Sequence, residues 1–149
     1  MTKILIETSE GGGIEGAAVK PIENAVILDA SPLWLGAIED VLSKNGVEVV
    51  GSAREAERAL ELVDRHKPGL LVADPVAGGV ECVREARSRV PDLTAVAVGS
   101  LEEPGQVLAA FGAGAIAFVV KTERFDSVEA ALPEALSPSP LETTRPAAA

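Results

Sequence analysis

The chain has 149 residues, 47% of them apolar and 24% charged, which suits one globular domain with a sizeable core. Its net charge of −10 argues against direct nucleic-acid binding, because neutralising phosphates takes a surplus of Lys and Arg. One cysteine, Cys82, excludes an internal disulfide, one histidine, His66, excludes a His-rich metal cage, and no apolar run is long enough for a membrane span.

In chain order, residues 1–24 begin with "MTKILIETSE", too short and too acidic for a secretory signal, so the expected home is the cytoplasm. With the glycines at 11–13 this segment reads as a flexible Gly-rich extension. Residues 25–29 ("AVILD") are an apolar run suited to a buried parallel strand. Ser31 and Pro32 supply an N-cap and a first-turn proline, and Trp34, Leu35, Ile38, Val41 and Leu42 share the inward face of the helix that follows. Asn45-Gly46 closes it. "VEVVGSA" (47–53) is a second strand, 54–66 a helix with Ala56, Ala59, Leu60 and Val63 inward, and "PGLLVAD" (68–74) a third strand. Residues 79–90 place Cys82, Val83, Ala86 and Val90 on one helical stripe. "LTAVAVG" (93–99) is a fourth strand, Pro104 opens a helix ending near Gly112, and "AIAFVVK" (115–121) is a fifth strand. Val128, Ala131, Leu132 and Leu136 outline a last helix, which Pro133 is expected to kink or stop early. Residues 137–149, rich in Pro, Ser and Ala, read as a tail or linker.

Five β–α units in succession imply an α/β, doubly wound, five-stranded parallel sheet covered on both faces, spanning 25–136. In such sheets the functional crevice lies beyond the carboxyl ends of the strands. Three strands deliver a charge there: Asp29, Asp74 and Lys121. Strand ends are where chains turn polar in any case, so one such residue says little. Two carboxylates and a lysine together suit a hard cation such as Mg²⁺ and a transferred phosphoryl group.

The residues "ILDASPL", "VVGSA", "PGLLVAD" and "AGAIAFVVK" resemble, over about three quarters of the chain, a response-regulator receiver domain of the two-component systems, CheY-like in fold and nearest in style to the NarL/FixJ branch. The resemblance implies the flavodoxin-like order of strands and a signalling domain, not an enzyme. It implies Asp74 as phosphoacceptor for a histidine kinase, Lys121 as phosphoryl contact, and Asp29 with Asp74 as ligands of Mg²⁺. It places a switch hydroxyl at the fourth strand end and an aromatic on the fifth strand, Phe118, relaying the change to the face of the fourth and fifth helices. That branch carries a helix-turn-helix output domain after a linker, which here would lie beyond residue 149 or be replaced by a protein partner; a homodimer is expected to be weak or conditional.

The departures are specific. The family's second acid falls at Ala30, which offers no side-chain oxygen and should leave Mg²⁺ binding weak. The switch hydroxyl falls at Gly99, with Ser100 as the substitute one residue on. The loop "DPVAGGVE" is shorter than usual, and Pro75 restricts Asp74 to extended angles. The reading is therefore an atypical receiver for transcription regulation, acting by protein–protein contact. The alternative is a phosphorylation-independent pseudo-receiver serving dimerisation or small-ligand binding. A remoter one takes "GGGIEG" (11–16) as a dinucleotide fingerprint with Asp29 as ribose acid, but polar "ETSE" and Pro21 spoil its strand–turn–helix context. His66 is expected at a helix end, Cys82 and Trp34 in the core, and "EAERALELVD" as a solvated helix face.

Overall fold

The computed structural model describes residues 22–122 and 125–136, without the side chains of 126 and 127. The expected extension (1–21 of it), its glycine fingerprint and the tail at 137–149 lie outside the described residues. Five strands alternate with five helices: β1 (Asn24–Leu28), α1 (Pro32–Lys44), β2 (Glu48–Ala53), α2 (Ala56–His66), β3 (Leu70–Ala73), α3 (Gly79–Arg89), β4 (Thr94–Gly99), α4 (Pro104–Ala113), β5 (Ala117–Val120) and α5 (Asp126–Ala135). A 3₁₀ turn, Pro75–Ala77, bridges β3 and α3. All strand pairings are parallel and the order is β2-β1-β3-β4-β5, so the chain reverses its winding between β1 and β3.

Period-two alternation divides the core. Ala25 and Ile27 of β1 face α1 and α5, packing with Ile38, Leu42 and Leu132. Val26 and Leu28 face the other way, packing with Leu62, Val63 and Val83 of α2 and α3. Phe118 fills a third cluster with Ala110 of α4. Between Ala25 and Val26 the β1–β2 register jumps: Ala25 pairs with Val49 and Val26 with Gly51, leaving Val50 as an extra residue in the edge strand. A side chain at Gly51 would run into Leu62 of α2, so β2 bends close under that helix.

The helix signals act as expected. Ser31 accepts a hydrogen bond from the Trp34 amide, Pro32 opens α1, and Gly46 takes a positive φ of 84° at its far end. His66 ends α2. Cys82 is fully buried, and burial pushes its thiol up to about 11, so thiolate is scarce at neutral pH. Pro133 does not stop α5, which runs on to Ala135. Proline deprives only the Glu129 carbonyl of its partner, and Leu132 and Ala135, both buried, hold the last turn against the sheet. Among the described residues no helix is long and apolar enough to cross a membrane.

Candidate functional site

Parallel register places the charged residues. Leu28 pairs with Ala73, so the next residues, Asp29 and Asp74, leave adjacent strands side by side. Their backbones stay anchored: the Asp29 amide donates to Ala53 O at 3.0 Å and that of Asp74 to Leu28 O at 2.9 Å. Gly99 pairs with Val120, and Lys121 then donates its amide to Gly99 O at 2.8 Å. Its side chain reaches across the end of β4 to both acids.

Each carboxylate has one oxygen fixed locally. Asp29 Oδ1 accepts from the Ser31 amide and Asp74 Oδ1 from the Val76 amide, both at 2.9 Å. The other two oxygens converge on Lys121 Nζ, at 2.6 Å from Asp74 Oδ2 and 2.8 Å from Asp29 Oδ2. Only the contact with Asp74 is aligned as a hydrogen bond. Asp29 Oδ2 is buried, close enough for an ion pair, and has no aligned donor among the described residues. Exposure separates the two acids: the Asp29 side chain is 1% exposed and that of Asp74 12%. Asp74 is thus the carboxylate a reagent can reach. Its backbone is extended (φ −85°, ψ 122°), as the following proline requires.

A hard cation needs anionic oxygens with coordination to spare, and Asp29 Oδ2 accepts no aligned hydrogen bond among the described residues, although the Lys121 ammonium lies 2.8 Å away. Two carboxylates fit Mg²⁺ in type, but among the described residues no three of His, Cys, Asp or Glu come together. Ala30 is exposed and contributes only a backbone carbonyl, to which Arg54 Nε donates at 3.0 Å.

The fourth strand end is closed to a side chain. A Cβ at Gly99 would stand 2.9 Å from Pro75 Cδ and 3.3 Å from both Asp74 Oδ1 and Phe118 Cζ. Pro75 and Phe118 therefore occupy the space that a residue at 99 would need. Phe118, expected to belong to an output surface, is fully buried, so its ring reaches no surface in this structure. Ser100 lies one residue further and accepts from the Glu102 amide at 3.0 Å, capping its own loop. We expect Gly99→Ser to cost about 1–3 kcal/mol of stability in denaturant unfolding. In a Pro75→Ala background the cost should fall by about 1 kcal/mol, since removing the ring opens the space.

Trp34 packs where the sequence expectation put it and makes a second contact besides. It is half-buried against the α1–α5 core, as expected, yet its ring also overhangs the crevice, with Lys121 Nζ 5.1 Å from its centroid. Phe125, just before α5, meets the indole edge-on at 4.6 Å and 75°. A wheel projection shows that Trp34 faces inward. Its place in the first turn, at the carboxyl edge of the sheet, is what carries it over the acids.

Residues 25–133 match the family model of the response regulator receiver domain. The chain is 29% identical over 115 residues to the chemotaxis protein CheY of Bacillus subtilis, covering 75% of this chain and 96% of that one. It is also 29% identical over 112 residues to the DNA-binding transcriptional activator EvgA of Escherichia coli K12, covering 73% of this chain but only 55% of the activator. Among solved structures, the signal receiver domain of the response regulator NarL from Mycobacterium tuberculosis superposes with a TM-score of 0.66 at 25% identity, over 78% of this chain and 98% of that domain. A five-stranded sheet in the order 2-1-3-4-5, two strand-end carboxylates bridged by a lysine and a family match over most of the chain lead to one conclusion: this is a receiver domain of the two-component response regulators.

Proposed function

We propose that the chain is a phosphoryl-accepting receiver with a thinned metal site, working in the cytoplasm and passing its signal by protein–protein contact. The observation that carries this reading is the asymmetry of the acids: Asp74 is reachable and hydrogen-bonded to Lys121, whereas Asp29 is sealed and meets the same ammonium only as an ion pair. Asp74 attacks the phosphorus of a donor, the bond to the leaving group breaks, and an acyl phosphate forms on the carboxylate. Lys121 exchanges its contact with Asp74 for the phosphoryl oxygens, and its ammonium offsets their charge. Asp29 Oδ2 and Asp74 would hold Mg²⁺, weakly because Ala30 adds no oxygen. The cation supplies further charge neutralisation on the transferring phosphoryl group. The donor is a histidine kinase, and the likeness to EvgA and NarL supports an output in transcription regulation through a helix-turn-helix domain or a separate protein partner.

A second reading, a phosphorylation-independent module for dimerisation or small-ligand binding, is favoured by Ala30 and by the filled space at Gly99. Intact-protein mass after incubation with a small phosphodonor and Mg²⁺ separates the two. We expect slow gain of one phosphoryl group, abolished in Asp74→Asn. No gain even at high Mg²⁺ would select the second reading.

A further inference from the structure

Among the described residues, the Lys121 ammonium meets the carboxylates of Asp29 and Asp74 and the face of Trp34. The carboxylates draw it to the strand ends, and the indole stands on its remaining side. Trp34 is itself held from two directions. Its amide donates to Ser31 Oγ, and the Ser31 amide donates to Asp29 Oδ1, so Asp29, the α1 cap and Trp34 form one hydrogen-bonded piece. From the other side Phe125 braces the indole edge-on. Lys121 directly follows β5, and Phe125 comes four residues later, so the cluster ties the starts of α1 and α5 together above one cation. On the opposite route from Asp74, towards α4, Gly99 contributes no side chain of its own, and Pro75 and Phe118 fill the space beside it.

We propose that Trp34 is a positioning residue for Lys121, and that it couples occupancy of the acidic site to the junction of α1 and α5. This rests on the receiver reading above for its functional part. The indole face attracts the ammonium and limits its swing. When Lys121 turns towards a phosphoryl group on Asp74 it leaves that face, and the Trp34–Phe125 pair repacks. The signal then emerges on the α1–α5 side of the sheet, on the flank away from α4.

Trp34 is the chain's single tryptophan, so its emission reports on this contact directly. In Lys121→Met, with folding verified by far-UV circular dichroism, the emission should differ from wild type without any phosphodonor. Superimposable spectra would overturn the contact and the proposal with it. Phosphoryl uptake by intact mass supplies the second arm. Trp34→Leu should slow uptake about 3- to 10-fold, the size of a part-buried cation–π contact, and Trp34→Phe should restore most of the rate. Equal rates in all three proteins, or equal losses in both variants, would show that Trp34 does no more than fill space. If wild type takes up no phosphoryl group, the receiver chemistry fails on its own account and the emission arm alone decides the contact.

Discussion

Replacing Gly79 by alanine should cost about 3 kcal/mol or more and disturb the acidic site at the same time. A Cβ at this first residue of α3 would collide with the Asp74 carbonyl oxygen and lie 2.7 Å from its carbon, with the Ala73 methyl 3.2 Å away. Backbone is the obstacle here, so no side-chain rotation relieves it. Either α3 must lift from the sheet or β3 must shift at its end. Overpacking in a filled core typically costs 1–3 kcal/mol, and a clash against fixed main chain belongs at or above the top of that range. The Asp74 carbonyl also accepts the Ala77 amide at 3.0 Å, so movement here unsettles the 3₁₀ turn that carries the Val76 amide to Asp74 Oδ1. Urea unfolding of Gly79→Ala beside wild type measures the loss. A change under about 0.5 kcal/mol would mean that the helix start yields freely.

Ala30→Asp should strengthen Mg²⁺ binding by about tenfold or more, because it adds an anionic oxygen to the two carboxylates that would hold the cation under the proposed reading. Position 30 is exposed and precedes the α1 cap, so the new side chain displaces no core atom. Arg54, whose Nε reaches the Ala30 carbonyl, stands near enough to pair with the new acid and offset part of the gain. Ala30→Asp combined with Arg54→Ala should therefore bind more tightly than Ala30→Asp alone. Titration of Trp34 emission with MgCl₂ reads all three proteins. An unchanged midpoint in both variants would show that Asp29 and Asp74 do not form a cation site.

The architecture was legible in the sequence because each strand is a run of apolar residues between turn signals. Ser31 with Pro32 and Gly46 marked the two ends of α1, and Pro104 marked the start of α4. The meeting of Asp29, Asp74 and Lys121 was legible too, since parallel strands align their carboxyl ends. What stayed hidden depends on contacts between distant residues. Pro75 and Gly99 are separated by 24 positions and complement each other only through the register of β3 and β4. The edge-on contact of Phe125 with Trp34 joins α1 to α5 across almost the whole fold. Helical periodicity gives a direction around an axis, not the depth along it, and so left Trp34 in the core.

The extra residue Val50 has a consequence beyond local geometry. An open parallel sheet exposes two rows of unpaired backbone groups, each a template for another chain. In β2 the inserted residue breaks that row in the middle, bends the strand and strengthens its twist. The other edge, β5, is only four residues long. Among the described residues, neither border offers a long straight ladder on which a second sheet could grow. Copies of this chain that meet in solution should therefore do so through helices, with the sheet itself protected from the strand-by-strand accretion that leads to fibrils.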